Sequence, residues 1–276
     1  MAYPALKARL ERGERIILDG ATGTELERRG VAMDAEAWVG LANLSHPDVL
    51  TGIHADYIAA GADVITTNTF ASSRLMLART GEADRVADGV RAATTAAFRA
   101  RDRAGRSVAV AGSLSHVVPF GSGRDPSGDE MLAAFRELAG LMVEEGCDLL
   151  LLEMMYHPER MRLAVQAALE TGLPIWLGTS ARAQGDALVS YFERQTIPFR
   201  EVVALVPDSG IDVAGVMHSA ATVTNAALEA LRGRYAGPLM AYPDSGYFEP
   251  PHWRFVDVMT PEMFVAHCRR WAGQGV

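Results

Sequence analysis

Short apolar runs alternate along the chain with longer segments in which apolar side chains recur every three or four positions. The runs predict strands at about 15–19, 63–69, 107–113, 148–153, 174–180, 212–218 and 238–242. In the fourth, Asp148-Leu149-Leu150-Leu151-Leu152-Glu153, leucines stand on successive positions rather than on every second one. Such a strand is buried on both faces, as in a parallel sheet covered by helices. Between the runs, Ser45-His46-Pro47-Asp48 reads as a helix start with a capping oxygen, an early proline and an early acid. Its inner face would follow as Val49, Ile53 and Tyr57. Thr260-Pro261-Glu262 opens the last helix in the same way, and Gly61, Gly146 and Gly172 fall where helices should stop.

The runs end in polar residues. Arg15-Ile16-Ile17-Leu18 leads into Asp19-Gly20-Ala21-Thr22-Gly23-Thr24, and Val64-Ile65 leads into Thr66-Thr67-Asn68-Thr69-Phe70. Repeated polar strand ends predict a site on one rim of a parallel barrel, which makes the fold class α/β of the (β/α)8 TIM type. Two glycine- and proline-rich stretches, 118–129 and 242–253, read as loops over that rim. Seven strands are legible and the eighth is not, because Gly273-Gln274-Gly275-Val276 stands where it should begin. An unpaired edge there predicts association into a homo-oligomer. No linker, repeat or low-complexity tract divides residues 1–276, so a single domain is expected.

Composition narrows the partners. The chain has 276 residues, 49% of them apolar and 22% charged, an ordinary globular balance. Its 34 acidic against 26 basic residues give a net charge of -8 with no basic block, which argues against nucleic acid as a partner. No run approaches the roughly 20 apolar residues of a membrane helix, and Met1–Leu10 lacks a secretory core. Two cysteines are too few for a disulfide framework. A cytoplasmic protein acting on a small molecule is the expectation.

Asp19 is either a turn cap or a functional carboxylate, and the glycines beside it expose N–H groups able to hold a carboxylate or phosphate. A dinucleotide-binding reading fails for want of a third spaced glycine and a short crossover helix. Glu153 closes a run of four leucines, so it must be paired, neutral or at the rim. A salt bridge is one reading; acceptance of hydrogen bonds from a ligand ammonium is the other. Thr67, Asn68 and Thr69 serve either a ligand or the neighbouring backbone. His116, His218, Asp244 and His252 follow strand ends and could converge on a metal, but they lack a tight spacing motif. His46 and His54 read as surface or packing residues, and Cys147 and Cys268 as packing residues.

Taken together, LDGATGTEL at 18–26, IHADYIAAGADVITTNTFASS at 53–73, VAGSL at 110–114 and DLLLLEMM at 148–155 resemble the homocysteine S-methyltransferase family. GVMHSA at 215–220 and YPDSG at 242–246 resemble it less closely. The resemblance implies a (β/α)8 barrel that methylates the sulfur of homocysteine or a related amino-acid thiol from a methyl donor. It implies that Asp19 and Glu153 hold the substrate ammonium and that Gly20 through Thr24 hold its carboxylate. Thr67, Asn68 and Thr69 would lie near the reacting centre, and His218, Asn68 and Asp244 would be the catalytic candidates.

The family holds zinc with three cysteines, which keep a thiol as its thiolate. Here the first of those positions is His218, the Gly-Gly-Cys-Cys segment is not among residues 1–276, and the usual asparagine is Asp244. No metal ligand set is therefore assigned. A zinc-free amino-acid- or thioether-binding or regulatory protein, and a repurposed lyase or hydrolase using His218 and Asp244, stay open as alternatives to the methyltransferase.

Overall fold

A computed structural model describes residues 2–34, 37–119, 124–190, 196–249, 252–254 and 259–276. Six parallel strands form its main sheet: β1 (Val64–Thr66), β2 (Ala109–Ser115), β3 (Leu149–Met155), β4 (Ile175–Thr179), β7 (Val213–Ala220) and β8 (Leu239–Asp244), in that spatial order. Two antiparallel hairpins lie outside it, β5 (Ala181–Gln184) with β6 (Ala187–Ser190) and β9 (Tyr247–Glu249) with β10 (His252–Arg254).

All seven predicted runs are found, although the first is reduced to a bridge. Leu18 pairs with Val64 in parallel, through Val64 N–H to Ile17 O at 3.2 Å and Asp19 N–H to Val64 O at 2.9 Å. Among the described residues no ladder joins this segment to β8. Helices cross over between successive strands and cover the outer face of the sheet, and the inner faces converge on one another. Val64, Ala109, Ala111, Leu149, Leu151, Trp176, Val213, Met217 and Met240 form one cluster drawn from all six strands. That is the interior of a curled sheet of barrel type.

The N-terminal helix, Tyr3–Glu11, closes one end of this interior. Its Tyr3 and Leu6 join the inner cluster. Tyr3 Oη donates to Asp212 at 2.6 Å, Trp176 Nε1 donates to Tyr3 Oη at 3.1 Å, and Ala2 N–H donates to Asp148 at 2.8 Å. Asp148 and Asp212 both stand just before the N-terminal ends of their strands. The plug therefore seals the bottom of the sheet and leaves the C-terminal rim for a ligand.

Local expectations meet mixed outcomes. Thr260 caps the last helix, Pro261–Gly273, accepting from Met263 N–H at 3.3 Å. Gly146 ends the helix Gly128–Glu144 with φ +86°, a conformation that favours glycine. The helix predicted from Ser45 begins instead at Pro47, with His46 at the cap position, because the Ser45 hydroxyl donates back to Leu41 O at 3.2 Å. Its buried face is Leu50, Ile53, His54 and Ile58, one position round from the predicted Val49, Ile53 and Tyr57. Stretch 242–253 is not a plain loop: β8 runs on to Asp244 and the hairpin β9–β10 follows. Of the other expected loop, 120–123 lies outside the described residues.

Candidate functional site

Four side chains meet at the C-terminal rim, and the backbone at two of them departs from a regular strand. The β3 register shifts between Leu152 and Met155, and the β7 register shifts between Met217 and Ala220. Met154 lies at φ +58° and His218 at φ +46°. A bulge re-aims side chains, and a non-glycine residue held at positive φ costs on the order of 1–3 kcal/mol. Here the two bulges turn Glu153 and His218 toward each other: His218 Nε2 lies 3.1 Å from Glu153 Oε2. On its other side, His218 Nδ1 lies 3.7 Å from Asp244 Oδ1. The imidazole is thus held between two carboxyl groups from β3 and β8.

Asp19 reaches the same space from the first strand segment. Its Oδ2 accepts from Thr66 N–H at 2.6 Å and its Oδ1 from the Thr66 hydroxyl at 3.0 Å. Burial pushes its carboxyl up to about 8, against the pull of the Thr66 hydrogen bonds, and the Glu153 charge pushes the same way. Asp244 is also raised, first by burial, then by Glu153, with His218 opposing. For His218 burial works toward the neutral ring, but Asp244 and the Glu153 hydrogen bond together outweigh it and raise its value. The Tyr242 phenol, buried beside Asp19, Glu153 and Asp244, is raised well above its ordinary value. Carboxyl groups from the first segment, β3 and β8 therefore share one poorly hydrated volume, and a cation entering it relieves their mutual repulsion.

Aromatic rings and tight turns shape the walls. The Phe70 ring centroid lies 5.5 Å from His218 and 6.0 Å from Trp38, edge-on to the latter. A Cβ at Gly20 would stand 2.7 Å from the Tyr57 ring, and one at Gly23 would stand 2.4 Å from Trp38. These glycines let the Asp19–Thr24 turn lie against two aromatic rings. Tyr57 Oη fixes the same turn by donating to Ala21 O at 3.1 Å. The helix Thr22–Arg28 leads away from it.

The polar strand end Thr67-Asn68-Thr69 is fully buried and bonded within the protein. Asn68 donates both amide hydrogens, to Val39 O at 3.2 Å and Asn43 Oδ1 at 2.8 Å. The Thr67 and Thr69 hydroxyls lie 2.8 Å apart, and Thr69 donates to Ser113 O at 2.7 Å. His116 is buried with its Nε2 accepting from Tyr156 N–H at 2.9 Å and His157 N–H at 3.2 Å, and burial holds it well below the ordinary histidine value. It ties the end of β2 to the end of β3. His252 pairs instead with Glu27 at 2.7 Å, so the His/Asp set does not converge as a group.

Zinc requires three or four nitrogen, sulfur or oxygen ligands converging at about 2.0–2.3 Å. Among the described residues no three His, Cys, Asp or Glu side chains make such a group. Both His218 nitrogens already face carboxyl groups. Cys147 is buried in the outer core two positions before β3, and Cys268 lies on the last helix. The side chains present do not form the cysteine zinc centre that the resemblance implies.

Sequence reasoning missed the carboxyl–imidazole–carboxyl row and the aromatic wall. Strand-end position flagged Glu153, His218 and Asp244 singly, but their pairing depends on bulges that no local pattern announces.

Comparison with known proteins shows which proteins the chain resembles. The family described as homocysteine S-methyltransferase matches residues 16–276. The chain is 30% identical over 262 residues to the homocysteine S-methyltransferase of Escherichia coli, covering 87% of this chain and 81% of that one. It is 30% identical over 187 residues to betaine–homocysteine S-methyltransferase 1 of Xenopus tropicalis, covering 67% of this chain and 46% of the frog protein. In fold, it matches the metallated form of the homocysteine methyltransferase MmuM from Escherichia coli with a TM-score of 0.70 and 24% identity, over 89% of this chain and 88% of that one.

Proposed function

The chain belongs to the homocysteine S-methyltransferase family, and from that premise we propose that it transfers a methyl group to the sulfur of homocysteine or a closely related amino-acid thiol. The observation that carries the reading is that Asp19, held on Thr66 at the end of β1, and Glu153, near the end of β3, stand at the same rim from distant parts of the chain, with the Glu153 charge acting on Asp19. A zwitterionic amino acid places its ammonium between them, where each carboxylate keeps accepting capacity beyond its protein partner. The substrate carboxylate lies along the Gly20–Thr24 backbone. Thr67, Asn68 and Thr69 brace the strand ends around it.

Glu153 then links the two halves of the chemistry. One oxygen meets the ammonium and the other holds His218. With its ring charged between Glu153 and Asp244, His218 lies on the sulfur side and favours the thiolate over the thiol, as a neighbouring imidazolium does for cysteine. The thiolate takes the methyl by in-line displacement at the donor carbon: the S–C bond forms as the bond to the donor heteroatom breaks. The protein contributes position and charge. Trp38 and Phe70 shield the reacting carbon from water. No step is assigned to a metal.

Phe264 and Val265, exposed on the last helix, together with the edge of β8, which pairs with no further strand among the described residues, support contact between copies. No described helix is long and apolar enough to cross a membrane.

The test is a methyl-transfer assay with homocysteine and a panel of sulfonium and quaternary ammonium donors. We expect methionine to form with at least one donor, and His218→Asn to lower kcat by at least tenfold with little change in KM for homocysteine. Tight homocysteine binding without turnover for any donor would favour the second reading, an amino-acid-binding protein. The observation favouring that reading is the carboxyl–imidazole row where the family places a zinc cysteine.

A further inference from the structure

We propose that Ser113 is a substrate-binding residue, the third acceptor for the amino-acid ammonium held by Asp19 and Glu153; the inference rests on the functional reading above. On β2, Ala109 and Ala111 face the interior cluster, whereas Val110 and Leu114 pack outward. A Cβ on Gly112 would meet Met142 of the covering helix at 2.6 Å. The pleat therefore turns Ser113 inward. Its side chain is fully buried, and its hydroxyl has no hydrogen-bond partner among the described residues. Buried hydroxyls in native proteins are normally partnered, so an orphan aimed into a site points to a ligand.

The strand registers place it between the two carboxylates. Thr66, which holds Asp19, sits opposite Ala111, one inward position below Ser113 on β2. Glu153 sits opposite Ser115, one inward position above it. A path across the inner sheet from Asp19 to Glu153 thus crosses β2 at Ser113. Ser115 is already engaged, accepting from Val117 N–H at 3.2 Å. The Ser113 backbone is clamped from the neighbouring strand end: its N–H donates to the Thr67 hydroxyl at 3.2 Å and its carbonyl accepts from Thr69 at 2.7 Å. Thr67 and Thr69 are then positioning residues for Ser113. A primary ammonium has three N–H donors in a tripod; Asp19, Glu153 and Ser113 receive one each.

The experiment is titration calorimetry of the parent and Ser113→Ala with homocysteine and with its desamino analogue 4-mercaptobutanoate, alongside thermal melting. In Ser113→Ala we expect at least tenfold weaker homocysteine binding, an unchanged affinity for the desamino analogue and a melting temperature no lower than the parent's. Equal weakening for both ligands, or a clear fall in melting temperature, would show a structural hydroxyl and overturn the inference. So would unchanged homocysteine affinity in a parent that binds it. A parent that does not bind homocysteine refutes the functional reading itself, and this inference with it.

Discussion

Asp148 and Asp212, at the N-terminal end of the sheet, have their oxygens filled by the chain itself. Asp148 accepts from Ala2 N–H and Val110 N–H at 2.8 and 2.9 Å, and Asp212 accepts from Tyr3 at 2.6 Å and Lys7 at 3.3 Å. At the C-terminal end, Glu153 and Asp244 flank one imidazole, Asp19 stands on Thr66 within reach of the Glu153 charge, and burial raises both aspartates. The residue types are the same at both ends, but at the rim Asp19 has both oxygens bonded by one residue, Thr66, whereas Glu153 is bonded through one oxygen, to His218. A carboxylate bonded to backbone and to a plug helix is part of the fold. One left in excess, with its charge unfavourable until a cation arrives, is a binding device. The contrast teaches that burial alone does not mark a site; unspent hydrogen-bonding capacity does.

The largest effects break that contrast directly. Asp148→Ala orphans two backbone donors and frees the plug helix, so we expect a stability loss of about 2–4 kcal/mol, read by urea denaturation, with homocysteine affinity unchanged in the folded fraction. Glu153→Gln should do the opposite. It should weaken homocysteine binding about 10- to 100-fold, as expected for a lost charged hydrogen bond, and leave stability level or higher. If the two variants exchange phenotypes, the division between structural and ligand carboxylates is wrong.

A smaller effect comes from His54, buried away from both ends in the helix Pro47–Ala59, with neither ring nitrogen partnered among the described residues. Burial lowers its value to about 4. The unfolded chain therefore takes the proton first as pH falls below the ordinary value of 6.5, and stability declines from there toward pH 4. Between pH 7 and pH 5 that decline should be about 2 kcal/mol. His54→Leu should remove it and flatten the acid limb of the stability curve. An unchanged acid limb would show that the ring finds a partner in solution.

Much of this was legible in the chain. Strands covered on both faces leave contiguous apolar runs, so the seven strand positions and the polar rim could be read directly, and Asp19 and Glu153 stood out as acids at the ends of such runs. What could not be read depends on distance. Nothing in Tyr3 or Leu6 announces that they plug the sheet, because their partners Trp176 and Asp212 lie far along the chain. The helix face was misplaced by one position because Val49, Ile53 and Tyr57 keep an i, i+4, i+8 spacing, while the buried face runs through a histidine, His54, that a pattern of apolar residues passes over. Ser113 was invisible inside Val110-Ala111-Gly112-Ser113-Leu114, where a small residue between small residues signals only close packing. The hairpin β9–β10 hid in a stretch whose prolines and glycine read as loop.

Proton exchange on binding tests the central claim most directly. With its carboxyl raised to about 8, Asp19 keeps its proton at neutral pH in the ligand-free protein, and the arriving ammonium should expel it. Calorimetric titration of homocysteine at pH 7 in buffers of different ionisation enthalpy should therefore show net proton release, reduced by close to one proton in Asp19→Asn. Affinity should rise with pH up to about 8 in the parent and stay flatter in the variant. Equal proton counts in the two proteins would contradict the claim that Asp19 receives the substrate ammonium.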